Sequence, residues 1–372
     1  MFTKTTAYID RLIEEKKLPL LDVLVYKNHE PVYRHSGSYG KNFGDKELLC
    51  MFSCTKVLTA VSGMKLIEEG KIGLDDPVSK YIPEFKNAYT LDEKGEKHPE
   101  VITVRHLFSM ASGFDYNLES PEIVKLAKEK YDTASTADVI HTLINRPLSF
   151  SPGERFLYGL SHDALGLLIE TIEKMSLADY MQKHIFEPLG MKNSTMDSSR
   201  YIDNSPANHN KGKDSFYVSE DNNYKAFHPT KNYVSGGAGL ISTVEDYAIF
   251  ADTLAAGGIA KNGYRLIKPE TIEKMKEIQF DCLDIKSTYT CAQGEDYGYG
   301  LGVRVRKGAA ECGIPKGEFG WDGAAGSYVL VDTDNGISVT MGMNILDWQK
   351  HFKYEHTEIA KRIYEEIFKS HI

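Results

Sequence analysis

A chain of 372 residues exceeds the roughly 250–300 at which a single core stops growing, so two lobes are expected. Its 41% hydrophobic and 26% charged residues are those of an ordinary globular protein and exclude disorder on a large scale. The net charge of −9, with no basic block to offset it, excludes the electrostatic footprint of a nucleic-acid binder.

The amino-terminal apolar stretch is interrupted by Asp22, so no signal peptide is read there. No run approaches the roughly 18 apolar residues of a membrane span, so no membrane partner is expected and the predicted location is cytoplasmic. Cys50, Cys54, Cys282, Cys291 and Cys312 are odd in number and lack C-x-x-C spacing, which fits reduced, buried thiols better than disulfides or zinc.

In chain order, residues 4–17 read as an amphipathic helix, followed by two strands, LLDVLVYK and EPVYRHSGSYG, turning at Asn28-His29. KVLTAVSGMKLIEEG has strong helical periodicity through Val57, Val61 and Met64. Helical patterns separated by Pro/Gly loops follow: TVRHLFSMAS, TADVIHTLIN, HDALGLLIETIEKMS and LADYMQKHIF. Residues 202–232 are polar and aromatic without period and are expected to form a long surface loop. Ser242-Thr243-Val244-Glu245 has the capping-box pattern, which starts a helix at Ser242. YGYGLGVRVR, GSYVLVDTD and GISVTMGMN read as strands, and a helix near 352–370 closes the chain. The expected assembly is one α/β lobe from residues 1–75 and 296–372, with a mainly helical lobe, 76–295, inserted between them.

Ser53-Cys54-Thr55-Lys56 has the spacing of an activated serine, and Ser62-Gly63-Met64-Lys65 repeats it. Ser62 falls inside the predicted helix, where its N–H is committed. Ser53 falls at the helix start, where backbone N–H groups are unpaired and the dipole is positive. A lysine one turn away can assist removal of the hydroxyl proton, and the Ser53 N–H can donate to the oxyanion formed on attack. The competing reading is a helix-start serine with an exposed lysine, and the short motif alone leaves both open. Cys54 points about 100° away from its neighbour on a helix and is expected to be a packed thiol.

Seven segments in order widen the context: FSCTKVLTA, GKIGLDDPVSKYIPEF, ITVRHLFSMASGF, FSPGERFLYGLSHDALGLLIE, IFEPLGMKNSTM, GGAGLISTVEDYAIFADTLAAGG and FGWDGAAGSYVLVD. With them the chain resembles the serine β-lactamase and penicillin-recognising family, most closely its class C β-lactamase and family VIII carboxylesterase branch. The resemblance implies an α+β, β-lactamase/transpeptidase-like fold: an antiparallel sheet with flanking terminal helices and an inserted mainly helical lobe. It also implies Ser53 as nucleophile, Lys56 and Tyr158 as its proton-moving partners, and the N–H groups of Ser53 and Ala324 as oxyanion donors.

Two positions depart from the antibiotic-cleaving pattern. Leu160 stands where those members carry a substrate-contacting asparagine two places after the tyrosine, and Asp163 matches an aspartate of the esterase-like members. Trp321-Asp322-Gly323 replaces K-T-G or H-T-G and so lacks the cation that holds a substrate carboxylate. Leu160, Asp163, Trp321, Asp322 and Gly323 are therefore expected to line the substrate site, with Trp321 and the 202–232 loop shaping an apolar pocket. The small residues of Gly323-Ala324-Ala325-Gly326 are expected to let the strand backbone approach a bound acyl group.

The histidines show no metal-ligand spacing. His351 and His356 are expected near a surface helix, and His162 is expected either to touch the pocket or to be structural. No nucleotide-binding glycine motif occurs, so neither metal nor cofactor is expected. The expected function is a serine hydrolase that forms an acyl-enzyme on small carboxylic esters, its partner a small-molecule ester or amide. A β-lactamase or D-amino-acid peptidase, a transacylase and a catalytically silent sensor or scaffold remain the alternatives at this stage.

Overall fold

Strands from both ends of the chain meet in one sheet. The structure, a computed structural model, describes residues 2–40, 47–130, 133–197, 209–211, 216–218, 230, 232–281, 296–346 and 349–368. The strands are β1 (Leu21–Lys27), β2 (Glu30–Gly37), β3 (Phe280–Asp281), β4 (Tyr297–Tyr299), β5 (Arg304–Arg306), β6 (Phe319–Asp322), β7 (Tyr328–Asp332) and β8 (Ile337–Gly342). Their order is β2-β1-β8-β7-β6-β5-β4-β3, and every neighbouring pair is antiparallel. The β1–β8 pairing, with Val25 opposite Val339, joins the two ends of the chain. Asn28 and His29 take positive φ angles at the β1–β2 turn, as that hairpin requires. The expected single strand YGYGLGVRVR is instead a hairpin of β4 and β5, closed by a Gly300 N–H to Val303 carbonyl bond, because its glycines favour a turn.

Period-two alternation places one set of sheet residues on each face. Val329 and Val331 of β7 join the larger core, and Tyr328 and Leu330 join the smaller one. The smaller core is covered by α1 (Thr3–Lys16), through Ile9, Leu12 and Ile13, and by the carboxyl-terminal helix Gln349–Phe368, through Phe352, Ile359 and Ile363.

Against the larger core lies α2 (Thr55–Glu68), which is buried from Thr55 through Met64. A helix apolar on nearly every side belongs in an interior, and α2 packs there between the sheet and the helical segments. These include α3 (Val104–Phe108), α4 (Pro121–Glu129), α5 (Thr136–Ile144), α6 (Ser161–Glu173) and α7 (Leu177–Met181). Next comes α8 (Val244–Ala255), capped by the Thr243 hydroxyl accepting from the Asp246 N–H. The cap expected at Ser242 is thus one residue later, since the Ser242 side chain bonds Ser194 and the Thr243 carbonyl instead. The carboxyl-terminal helix is α9 hereafter.

Within the expected 202–232 loop, short strands at His209–Lys211 and Phe216–Val218 pair, and the former also pairs with Ile345–Leu346. Most of that segment lies outside the described residues. Among the described residues no helix is long and apolar enough to cross a membrane.

Candidate active site

The segment leading into α2 sets the nucleophile. Leu49–Cys50 pairs antiparallel with Ile241–Ser242, the chain then makes a 3-10 turn over Phe52–Cys54, and α2 begins at Thr55. Phe52 has φ 43°, a left-handed conformation costly for a bulky residue. Its ring, fully buried among Cys50, Ile241, Ala325 and Leu346, holds it there. The turn puts Ser53 at the head of α2 with 8% of its surface exposed.

Lys56 follows one turn later and has no exposed surface. Its Nζ donates to Ser53 Oγ at 3.2 Å and to the Gly237 carbonyl at 2.7 Å. Ser62, by contrast, donates to the Leu58 carbonyl within α2 and faces no partner lysine, which separates the two S-x-x-K matches.

A strap, Ser235–Gly239, wraps the buried end of Lys56. Thr59 Oγ1 donates to the Gly236 carbonyl at 2.6 Å, and Ser235 Oγ donates to Asp163 Oδ1 at 2.7 Å. At Gly237 a Cβ would stand 2.7 Å from Asp163 Oδ2 and 3.2 Å from Lys56 Nζ, so only glycine lets the backbone pass between them. Asp163 has no exposed surface. Burial raises its carboxyl above the usual range, opposed by the Ser235 bond and the Lys56 charge. Asp163 therefore lies beneath the lysine instead of lining the substrate site. Leu160, expected at the substrate, is 1% exposed in the larger core, where it precedes α6.

Tyr158 reaches the site from the loop before α6. Lys56 Nζ stands 4.6 Å from its ring centroid, within cation–π range. The Trp321 indole stacks on Tyr158 at 5.7 Å between centroids, and its Nε1–H donates to the Tyr158 hydroxyl at 3.2 Å. Trp321 is 3% exposed, so it supports the tyrosine more than it walls a pocket.

The other side of the site is the turn between β6 and β7. Among the described residues, the backbone N–H groups of Ser53 and Ala324 donate to no protein acceptor. At Gly323 a Cβ would fall 1.9 Å from Ser327 Oγ and 2.5 Å from the Met51 carbonyl. The close approach expected at this glycine is thus to the segment carrying the nucleophile, not to an acyl group. Ser327 Oγ donates to the Met51 carbonyl at 2.7 Å, tying the turn to the residue two before Ser53. Asp322, expected at the substrate, receives Arg304 Nη1 at 2.8 Å.

The remaining residues are inert or internal. The Cys54 thiol is fully buried and pushed up to about 12 by that burial, which suppresses a reactive thiolate. His162 is also fully buried, bonds the Phe108 carbonyl through Nε2, and is held down to about 3 by burial and then by Lys56. His356 has no exposed surface, contrary to the expected surface helix, because α9 covers the sheet. Among the described residues no group of three or more His, Cys, Asp or Glu could hold a metal ion. Sequence reasoning missed the partners Ser235, Gly237 and Ser327. The Gly-Gly-Ala-Gly run after Ser235 was the available signal for the strap.

A serine at a helix head, a buried lysine against its hydroxyl and an adjacent tyrosine are the equipment of a serine hydrolase. The sequence matches the family described as Beta-lactamase over residues 5–362, and the chain belongs to that family. Esterase EstB of Burkholderia gladioli is 25% identical over 371 residues, covering 91% of this chain and 89% of that protein. Protein flp of Staphylococcus aureus strain MW2 is 30% identical over 201 residues, 52% of this chain and 38% of that protein. Among solved structures, EstCE1, a hydrolase with promiscuous acyltransferase activity, has a TM-score of 0.78 at 21% identity over 97% of both chains. Unliganded simvastatin synthase LovD from Aspergillus terreus has a TM-score of 0.79 at 17% identity over 98% of both chains. At such identities these structures establish the β-lactamase/transpeptidase-like fold.

Proposed function

We propose that the protein is an esterase that cleaves small carboxylic esters through an acyl-enzyme on Ser53. The observation that carries this reading is the 3.2 Å contact between Ser53 Oγ and the wholly buried Lys56 Nζ. Lys56 donates to Ser53 Oγ, so the hydroxyl proton departs toward another acceptor; Tyr158, reacting as its phenolate beneath the same ammonium group, takes it and becomes the neutral phenol. Ser53 Oγ bonds to the ester carbonyl carbon, and the electron pair displaced onto the carbonyl oxygen is held by the N–H groups of Ser53 and Ala324. The tetrahedral species collapses, the alkoxide leaves with the proton from Tyr158, and water releases the acyl group by the same steps in reverse.

Esters rank above β-lactams because the third motif presents an indole where a cation would hold a substrate carboxylate, and that indole N–H faces Tyr158. The EstB relative is consistent with that ranking. The test compares hydrolysis of p-nitrophenyl acetate and butyrate with that of a chromogenic cephalosporin. Faster ester turnover, lost in Ser53→Ala, supports the proposal. Preferred turnover of the cephalosporin assigns a β-lactamase, and no turnover of any of them favours a sensor or scaffold.

A further inference from the structure

The oxyanion site proposed above depends on where one turn places one N–H group. Ala324 sits in the turn Gly323–Gly326, closed by the Gly323 N–H donating to the Ser327 carbonyl at 2.7 Å and the Gly326 N–H to the Gly323 carbonyl at 3.1 Å. On one side the turn is tied to the nucleophile segment through Ser327 and Met51. On the other side stands His356 of α9. Its Nε2 lies 3.0 Å from the Gly326 carbonyl, and its Nδ1 lies 3.4 Å from Asp322 Oδ1. One imidazole thus spans the turn, touching the residue before it and the last residue in it.

The far anchor is also fixed. Asp322 Oδ2 receives Arg304 Nη1 at 2.8 Å, and Arg304 Nη2 donates to Glu318 at 3.3 Å and to the Val329 carbonyl at 3.2 Å. The guanidinium lies between the Tyr297 and Tyr328 rings, 5.4 and 5.0 Å from their centroids. A core-facing position four residues after Phe352 and three before Ile359 is suited to an aliphatic side chain, which would avoid the desolvation cost of an imidazole. A buried polar group with its partners satisfied contributes geometric uniqueness instead.

We propose that His356 is a positioning residue that, with Asp322 and Arg304, clamps the Gly323–Gly326 turn and so aims the Ala324 N–H at the oxyanion. The inference rests on the hydrolase reading. A carbonyl only accepts, so Nε2 carries a hydrogen and donates to Gly326; the carboxylate of Asp322 also only accepts, so the longer Nδ1 contact is a hydrogen bond only when Nδ1 carries a hydrogen too, and the Nε2 bond is the part of the clamp nearest Ala324. Its loss lets the donor drift while leaving the substrate's ground-state contacts in place.

The test measures kcat and KM for p-nitrophenyl butyrate in wild type, His356→Leu, His356→Gln and His356→Asn, each well below its melting temperature. A glutamine amide reaches roughly where Nε2 stood, whereas the shorter asparagine amide reaches only toward Asp322. The expected result is a kcat about 10- to 100-fold lower in His356→Leu with KM within about threefold, a loss scaled below that of deleting an oxyanion donor outright. His356→Gln is expected within about fivefold of wild type and His356→Asn well below it, a comparison that holds if the leucine variant does not fold. Wild-type kcat in folded His356→Leu, or equal losses in the glutamine and asparagine variants, overturns the proposal. Those outcomes leave the hydrolase reading intact, whereas a wild type without ester turnover overturns both.

Discussion

Replacing Gly323 with alanine puts a methyl group where two oxygens already stand. The new Cβ falls 1.9 Å from Ser327 Oγ and 2.5 Å from the Met51 carbonyl oxygen. Serine can rotate away, at the loss of its bond to Met51, worth about 1 kcal/mol. The Met51 carbonyl is backbone two residues before Ser53, so relief there separates the turn from the nucleophile segment by several tenths of an ångström or more. The two N–H groups taken to hold the oxyanion lie on either side of that contact. Deleting one oxyanion donor costs about 10²–10³ in kcat, roughly 2.7–4 kcal/mol, and a displaced donor falls toward the lower figure. Gly323→Ala is therefore expected to lower kcat about 10²-fold with little change in KM, and to destabilise by roughly 1–3 kcal/mol through overpacking. Steady-state hydrolysis of p-nitrophenyl butyrate, with thermal melts alongside, reads both effects. Adding Ser327→Ala removes the nearer clash but not the backbone one, so it should restore some stability and little kcat. A Gly323→Ala enzyme with kcat within twofold of wild type refutes the assignment of Ala324 as a donor.

Trp321→Phe keeps a ring against Tyr158 but removes the indole donor to its hydroxyl, and kcat should fall about 3- to 10-fold in the same assay. Cys54, with its thiol pushed up to about 12, should remain unalkylated by iodoacetamide at pH 8 when peptides are mapped by mass, and modification of that peptide in the folded protein contradicts its burial. His162 titrates near 3 when folded and near 6.5 when unfolded. Its neutral form is favoured in the fold, so its contribution is complete above about pH 6.5 and is lost progressively as pH falls toward 3, by a few kcal/mol in order of magnitude. Urea denaturation across pH 4–7 should show a shallower dependence in His162→Gln than in wild type, and equal slopes would contradict this.

Periodicity carried much of the fold. The terminal helices, the β1–β2 hairpin and α2 were legible because apolar residues recur at 3.6 or 2 and turn residues mark their ends. The β4–β5 hairpin was not, because the Gly300-Leu301-Gly302-Val303 turn in YGYGLGVRVR carries no Asn, Asp or Pro, and its glycines alternate with residues that also suit a continuous strand. Ser53, Lys56 and Tyr158 were legible through motif and order, and the structure brings them together. The roles of Asp163, Asp322 and His356 were not legible. Each is a polar residue, fully buried for Asp163 and His356 and half-buried for Asp322, whose partner lies well away along the chain, Ser235 for Asp163, Arg304 for Asp322 and Gly326 for His356. Local spacing carries no trace of such pairings. Gly323 was read as room for a ligand, whereas the fold fills that room with its own backbone, because the glycine's missing side chain serves either purpose equally well in sequence.

The most direct test of the central claim is mass analysis of the protein quenched during turnover of p-nitrophenyl butyrate. One added butyryl group per chain is expected on the peptide containing Ser53, absent from Ser53→Ala and present in Ser62→Ala. Undiminished ester turnover by Ser53→Ala, or an adduct located on any other residue, contradicts it.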